Sequence, residues 1–189
     1  MILNIVKYGH PVLRQKGARV ETITPQIKQL ISDMLETMQH ARGVGLAAQQ
    51  VGHALQLTTL DVRGVTDRPS TVEVQGQSVD PASLMPLVLI NPDLKPYGEP
   101  AIGPEGCLSF PEMFADITRP GFVEVTALNA KGERIQFRCG GLLARVVQHE
   151  YDHLQGILFI DRMTKEKKAE LKPGLDELQA QTKAMLKKK

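Results

Sequence analysis

Residues 142–153 read Leu-Leu-Ala-Arg-Val-Val-Gln-His-Glu-Tyr-Asp-His, and this stretch is the most informative part of the chain for both its fold and its chemistry. Its His-Glu-x-x-His pattern places His149 and His153 one helical turn apart on the same face, where two imidazoles can bind one metal ion. Glu150, beside the first histidine, can take a proton from a water that the metal activates. The alternative is a polar helix that carries two surface histidines.

The apolar residues of the same helix indicate that its histidines face the interior. Five residues fall on one helical stripe, at i, i+4, i+7, i+8 and i+11: Leu142, Val146, His149, Glu150 and His153. A buried carboxylate beside two imidazoles needs a compensating charge, which a divalent cation supplies. The stripe therefore predicts a metal site inside the protein, on a helix over roughly residues 142 to 154.

A catalytic metal site needs a third protein ligand and an open position for water. One class of metalloproteases uses a third histidine where this chain has Phe159, so that class is excluded. Thermolysin-like enzymes use a downstream glutamate, for which Glu170 and Glu177 are candidates in a lysine-rich segment. Cys107 is the better candidate, because a thiolate binds first-row divalent metals strongly. A buried, unreactive thiol is the alternative for Cys107 and the favoured interpretation of Cys139.

The rest of the chain predicts an α+β fold, with short antiparallel strands packed around this central metal-binding helix. Thr24 and Pro25 begin an N-terminal amphipathic helix, and the lysine-rich residues from 162 onward predict a C-terminal helical tail interrupted at Pro173. Strands are expected near residues 55–60 and 87–90 and in a hairpin of residues 122–128 and 134–139. Residues 64–83 are expected to form a long loop with a short hairpin around Gly76, and residues 96–111, rich in proline and glycine, irregular backbone.

The bulk composition excludes several classes of protein. The chain has 189 residues, two cysteines and a formal net charge of +2, which does not indicate a nucleic-acid binder. It shows neither a secretory signal nor an apolar stretch of about 18 residues. We therefore expect a cytoplasmic protein with no DNA or membrane partner.

Three segments resemble the signature motifs of bacterial peptide deformylases. They are Gly-Val-Gly-Leu-Ala-Ala-Gln-Gln at 43–50, Glu-Gly-Cys-Leu-Ser at 105–109 and Gln-His-Glu-Tyr-Asp-His at 148–153, in the family order. The opening Tyr-Gly-His-Pro-Val-Leu-Arg at 8–14 is also similar to the family's N-terminal segment. The resemblance implies a catalytic domain over residues 1–165, followed by the helical tail over residues 166–189.

The resemblance implies a metal-dependent hydrolase that removes the formyl group from the N-terminal formylmethionine of nascent polypeptides and releases formate, by attack of a metal-bound hydroxide. It implies one divalent metal ion per chain, Fe(II) in the cell, with zinc, nickel or cobalt able to occupy the site in a preparation. The implied metal ligands are Cys107, His149 and His153. Glu150 is the implied general acid/base, and the Gln50 side-chain amide and the Leu108 backbone N–H are implied to stabilise the oxyanion.

The glycine-rich segment is expected to contact the substrate. Gly43 and Gly45 allow close approach of an extended peptide backbone, although a helix stop and a turn are their simpler interpretation. Val44, Leu142 and Val146 are candidate walls of an apolar pocket for the methionine side chain.

Glu105 is expected to support a metal-bound imidazole or to pair with an arginine. Arg145 is interpreted as solvent-facing, with the rim of the pocket as the alternative, and Asp152 is interpreted as solvated.

Two other functions compete with the hydrolase. A thermolysin-type metallopeptidase requires Glu170 or Glu177 as a ligand. A metal-stabilised binding module, or an enzyme that also docks on the ribosome, uses the basic end of the tail to contact phosphates. Its lysines are Lys183, Lys187, Lys188 and Lys189.

Overall fold

One curled antiparallel sheet wraps around a buried helix in the computed structural model, which describes residues 1–188. The strands are β1 (Gly45–Ala47), β2 (Leu57–Leu60), β3 (Ser70–Val74), β4 (Gln77–Val79), β5 (Leu87–Cys107), β6 (Phe110–Leu128) and β7 (Arg134–Gly141). The helices are α1 (Pro25–His40), α2 (Leu142–Leu154) and α3 (Lys165–Lys187). Short 3-10 helices cover Pro11–Arg14, Ala48–Val51, Pro81–Leu84 and Phe159–Arg162. The strand order is β1-β2-β5-β6-β7-β3-β4, and the α+β class predicted from the sequence is confirmed.

The central helix α2 has the bounds predicted from the sequence. Gly141 precedes it with φ +68°, and a Cβ there would lie 2.2 Å from the carbonyl oxygen of Pro69. Only glycine therefore fits between β7 and this helix. Every residue of α2 except Tyr151 is buried, so the burial extends well beyond the predicted stripe.

Helix α1 packs against the sheet near β1 and β2. Its first turn is capped by the Thr24 hydroxyl, which accepts a hydrogen bond from the N–H of Ile27, and Pro25 follows at the first helical position. Its buried face packs in one cluster with residues of β1, β2 and β5. The buried apolar residues of α1 are Leu30, Ile31, Met34 and Met38.

The long strands β5 and β6 differ most from the sequence prediction. The prediction of irregular backbone over 96–111 is wrong. The strand predicted near residues 87–90 is longer than expected, because β5 continues past a register shift after Ile90. The pairing of β2 with β5 stops at Ile90, which leaves the rest of β5 as an edge strand. Edge strands tolerate proline, since the missing N–H lies on the unpaired side. Pro100 and Pro120 face each other, and neither requires a donor.

The segment before β5 contains the predicted hairpin, and the C-terminal segment is more continuous than expected. Strands β3 and β4 form the predicted hairpin, whose turn residues Gln75 and Gly76 both have positive φ. Helix α3 runs through Pro173 without the predicted interruption and buries Leu175 and Thr182. Within residues 1–188, no helix combines the length and the apolar character that crossing a membrane requires.

Candidate metal centre

Strand β5 and helix α2 bring Cys107, His149 and His153 together. One ligand atom from each of the three lies within 4.8 Å of the others, and the Cys107 Sγ is 3.3 Å from the His153 Nε2. Metal–nitrogen and metal–sulfur bonds of about 2.0–2.3 Å in a tetrahedral site require separations of this order. The three residues predicted as ligands therefore have the spacing and the chemistry of a divalent-metal site.

The thiol and the imidazoles come from elements that are positioned independently. Cys107 ends β5, where the register with β6 shifts between Gly106 and Cys107 and the chain turns toward Phe110. His149 and His153 lie on successive turns of α2, with their ring centroids 5.2 Å apart. The site is thus formed where the end of the long hairpin crosses the buried helix.

Glu105 fixes one of the imidazoles. Its Oε1 lies 2.8 Å from the Nδ1 of His149, which leaves the Nε2 of that ring for a metal. Arg119 donates to both oxygens of the same carboxylate, at 2.6 and 2.9 Å, and Arg145 donates to Oε2 at 2.9 Å. Burial by itself raises the pKa of Glu105, but its contacts with His149 and Arg119 hold it well below its ordinary value. Both partners proposed for Glu105, an imidazole and an arginine, are present.

Two residues of α2 do not face solvent as the sequence suggested. Asp152 is buried, and its carboxylate accepts hydrogen bonds from Arg119 and from Arg162. Arg145 is also buried and binds Glu105 together with the backbone carbonyls of Ala101 and Ile117. It lines the pocket beside the cluster, as the alternative interpretation expected. The solvent-facing interpretations of Asp152 and Arg145 are wrong for the same reason: almost the whole of α2 is buried, so its polar residues must find partners inside the protein.

Sequence reasoning missed Arg119, which joins Glu105 to Asp152. The available signal is the alternation of β6, in which Ala115, Ile117 and Arg119 all point inward and are buried. A charged residue in an inward-facing series indicates a buried partner of opposite charge. That partner proves to be the carboxylate that holds the His149 ring.

The two imidazoles differ in basicity because their neighbours differ. Burial lowers the pKa of each, but the contacts of His149 with Cys107 and Glu105 outweigh burial and raise its pKa to about 10. For His153, burial and the nearby positive charges of His149 and Arg119 hold the pKa well below its ordinary value. An imidazole nitrogen binds a metal ion in its deprotonated form, so a metal ion at this site would replace a proton on the ring nitrogen that it contacts.

Glu150 lies against the glycine-rich segment. A Cβ added to Gly45 would come within 2.7 Å of the Glu150 Oε1, so this carboxylate and that backbone are in direct contact. The other oxygen, Oε2, is buried without a hydrogen-bond partner among the described residues. Burial raises the pKa of Glu150 to about 7.

Gln50 is held in a fixed orientation by its neighbours. Its Oε1 accepts a hydrogen bond from the backbone N–H of Ala47 at 3.0 Å. Its Nε2 therefore points to the β5–β6 turn, where it donates to the Ser109 hydroxyl at 3.2 Å and lies 3.5 Å from the Cys107 Sγ. Leu108, between these two residues, lines the adjoining pocket.

A pocket of about 420 Å³ opens beside the cluster. Its lining includes all five residues predicted to contact substrate, namely Gly43, Val44, Gly45, Leu142 and Val146. Gln50, Cys107, His149 and Glu150 also line this pocket. A larger groove of about 960 Å³ lies along β7 and the β3–β4 turn and contains none of these groups, so size alone does not indicate the site.

The other candidate ligands lie apart from the centre. Glu170 and Glu177 are exposed on α3 and do not belong to the Cys107–His149–His153 cluster. Cys139 is a buried free thiol, as the sequence interpretation expected, and burial raises its pKa to about 12, which favours the protonated form.

Comparison with known proteins identifies relatives along nearly the whole chain. The model of the polypeptide deformylase family matches residues 2–169. A peptide deformylase of Methylacidiphilum infernorum is 43% identical over 178 residues, which are 94% of this chain and 93% of the relative. A peptide deformylase of Opitutus terrae is 41% identical over 189 residues, covering 99% of this chain and 98% of the relative.

Solved structures give the same result for the fold. The crystal structure of a peptide deformylase from Synechococcus elongatus in complex with actinonin has a TM-score of 0.77 and 39% identity, covering 93% of this chain and 85% of that one. The peptide deformylase of Legionella pneumophila, also with a TM-score of 0.77, is 31% identical and covers 100% of this chain and 99% of that one. With a family model, full-length relatives and this geometry in agreement, the chain belongs to the polypeptide deformylase family.

Proposed function

We propose that Glu150, Gln50 and Leu108 carry the reaction by which this family member removes the formyl group from the N-terminal methionine of nascent chains. The observation that supports these roles is the convergence of the Glu150 carboxylate and the Gln50 amide on the Cys107–His149–His153 cluster, at the wall of one pocket. The family is metal-dependent, and this cluster is its potential metal site. When bound there, a divalent cation supplies Lewis acidity that makes water acidic enough to yield hydroxide near neutral pH.

Glu150 is the proposed general acid/base. Its carboxylate takes a proton from water as the water oxygen attacks the formyl carbon, and it returns that proton to the methionine nitrogen as the C–N bond breaks. Formate and a free α-amino group are the products. Contact with Gly45 limits the movement of this carboxylate, and its partner-free Oε2 is available for the proton.

Gln50 and Leu108 are the proposed donors to the oxygen that becomes negative during the attack. The Gln50 Nε2 is already directed at the turn that carries Cys107 and Leu108. A side-chain amide suits this role because it donates hydrogen bonds while staying neutral. The backbone N–H of Leu108 is the second proposed donor.

The pocket receives the methionine. Gly43 and Gly45 lie beside the substrate backbone in this proposal, and Val44, Leu142 and Val146 surround the flexible thioether side chain. A space of about 420 Å³ at the site is ample for a side chain of that size. Glu105 holds the His149 ring in the orientation that metal binding requires.

The decisive experiment compares three variants for bound metal and for hydrolysis of a formyl-Met peptide. We expect Cys107→Ser to lose metal and activity together, and Glu150→Ala to keep its metal but to lose about 10²- to 10⁴-fold in kcat. Glu177→Ala is the matched control, since this glutamate is exposed. Metal retained in a Cys107 variant and lost in Glu177→Ala would instead support a thermolysin-type peptidase. A metal-loaded protein without hydrolytic activity would support a binding module.

The proposed metal in the cell is Fe(II), with zinc, nickel or cobalt as possible occupants in a preparation, because thiolate and imidazole accept several first-row ions. The proposed location is the cytoplasm, where nascent formylated chains are made. Anaerobic purification followed by metal analysis and an activity assay on the same sample tests the metal. Higher activity of the zinc form than of the iron form would contradict this assignment.

Residues 1–165 are proposed to form the catalytic domain and residues 166–189 a C-terminal helical tail. Lys183, Lys187 and Lys188 are exposed on or just beyond α3, and Lys189 lies outside the described residues. We propose that this basic end contacts ribosomal phosphates. Truncation after residue 173 should abolish salt-sensitive co-sedimentation with ribosomes without loss of metal, and unchanged co-sedimentation would dismiss the contact.

A further inference from the structure

Arg145 is a buried cation at the point where the long hairpin meets α2. Its side chain is only 9% exposed. One guanidinium nitrogen donates to the Glu105 Oε2 at 2.9 Å and to the carbonyl of Ile117 at 2.7 Å, and the other donates to the carbonyl of Ala101 at 2.9 Å. A single side chain of α2 therefore binds β5 at two residues and β6 at one.

Charge neutralisation alone does not account for this arrangement. Glu105 already has a two-pronged ion pair with Arg119, at 2.6 and 2.9 Å. Two of the three groups that Arg145 binds are uncharged carbonyls, and these belong to both strands of the hairpin. The contacts indicate a mechanical connection between the hairpin and the helix.

The hairpin accommodates this guanidinium at one position that lacks a side chain. A Cβ added to Gly103 would lie 3.1 Å from the Arg145 Nε and 3.2 Å from its Cζ. The planar group therefore lies against bare backbone of β5, between Ala101 and Glu105. The φ of Gly103 lies outside the left-handed region, so the contact requires the absence of a side chain at this position and not a special backbone conformation.

The contacts of Arg145 affect the metal site because the proposed ligands lie on the two elements that Arg145 joins, β5 and α2. Cys107 is two residues beyond Glu105 on β5, and His149 is one helical turn beyond Arg145 on α2. Beyond Ile90, β5 pairs with β6 alone. No further strand fixes the position of this part of β5, so its distance from α2 is set by side-chain contacts with that helix.

We propose that Arg145 is a positioning residue that holds the thiol-bearing end of β5 at the correct distance from the two imidazoles of α2. The proposal rests on the function proposed above for Cys107, His149 and His153. Arg145 also lines the substrate pocket, but in this proposal it acts on the metal site through Glu105 and the two carbonyls. Loss of its hydrogen bonds loosens the ligand set before it unfolds the protein.

The test measures cobalt release together with the cobalt spectrum, because the spectrum of the folded, loaded protein reports the ligand geometry and not the stability. Arg145→Met keeps the length of the side chain and removes all its donors. Arg138→Met is the matched control, because Arg138 is an exposed arginine of β7 that pairs with Glu124 at 3.5 Å. Each variant is loaded with cobalt(II), and the release of cobalt to a chelator is timed while the thiolate-to-cobalt absorption band is recorded.

We expect Arg145→Met to release cobalt about 10- to 100-fold faster than the wild-type chain, the range found when outer partners of metal ligands are removed. The thiolate band should shift or weaken, and Arg138→Met should match the wild type in both respects. Equal release rates and an unchanged band in Arg145→Met would overturn the proposal, even if this variant melts at a lower temperature.

Two further variants keep the test decisive if Arg145→Met does not fold. Arg145→Lys retains the charge and one donor group. Gly103→Ala adds a methyl group on β5 that would crowd the Arg145 guanidinium. Both should speed cobalt release by a smaller factor than is expected for Arg145→Met, and wild-type release from both would refute the proposal. The cobalt assay needs no formylated substrate. If the wild-type chain proved inactive, the proposed function would be refuted, but the cobalt release rates would still test the role of Arg145.

Discussion

Replacement of Gly45 by alanine tests whether Glu150 acts as the base at its present position. The added Cβ would meet Glu150 at 2.7 Å from Oε1 and at 2.8 Å from both Cδ and Cγ. Real Cβ atoms essentially never approach so closely, and an ordinary contact begins at 3.4 Å. The difference between 3.4 and 2.7 Å requires the carboxylate or strand β1 to move by about 0.7 Å.

A displacement of this size is large for proton transfer. Misplacement of a reacting group by about 1 Å costs on the order of 100-fold in rate. We therefore expect Gly45→Ala to lower kcat by about 10- to 100-fold, which corresponds to about 1.4–2.7 kcal/mol of activation free energy. Metal content should stay the same, because Glu150 is not among the proposed ligands.

Steady-state kinetics with a formyl-Met peptide, together with metal analysis, provide the assay. Gly64→Ala is the matched control, since a Cβ at Gly64 meets no heavy atom within 4 Å and its φ lies outside the left-handed region. Wild-type kcat in Gly45→Ala would refute the reasoning. A rise in KM alone would show that the methyl group hinders the substrate and leaves the base in place.

Three further predictions concern stability. Phe159→Ala should lower the free energy of unfolding by about 3–5 kcal/mol, because the ring is 2% exposed and packs on Phe110 and His149; a loss under 1 kcal/mol in urea titration would contradict this. Contact with Arg14 outweighs burial and lowers the pKa of Asp161, so its ion pair stabilises the fold above about pH 4 and is lost as the pH falls through the lowered pKa. The difference in Tm between wild type and Asp161→Asn should therefore shrink between pH 7 and pH 3, and a constant difference would contradict it. Pro173→Ala should raise the free energy of unfolding by about 1–3 kcal/mol, since Pro173 has no backbone N–H and leaves α3 one hydrogen bond short; an unchanged Tm would contradict this prediction.

The parts of the fold that the sequence predicted are those set by local rules. Helix α2 has its predicted bounds because glycines stand at Gly141 and Gly156, both with positive φ. Helix α1 begins after Thr24 as expected, since its cap and its first-turn proline are neighbours in sequence. The hairpin around Gly76 follows from a local turn in the same way.

Long-range contacts determined what the sequence did not predict. Prolines between residues 96 and 111 indicated irregular backbone, and only the absence of a second partner strand makes them compatible with β5. Arg145 and Asp152 looked solvated because their partners, Glu105 and Arg119, lie 40 and 33 residues away. Helical periodicity places residues on a face, but it does not show that all faces of α2 are covered.

The prolines of β5 also affect how copies of this protein meet in a concentrated solution. Pro100 and Pro104 fall on alternate outward positions of an exposed strand, so every second donor that an incoming strand would use is missing. Unprotected strand edges recruit further chains and grow into fibrils, and such gaps stop that growth at its first step. The hairpin that delivers the thiol to the helix can therefore stay long and uncovered without becoming a template for aggregation.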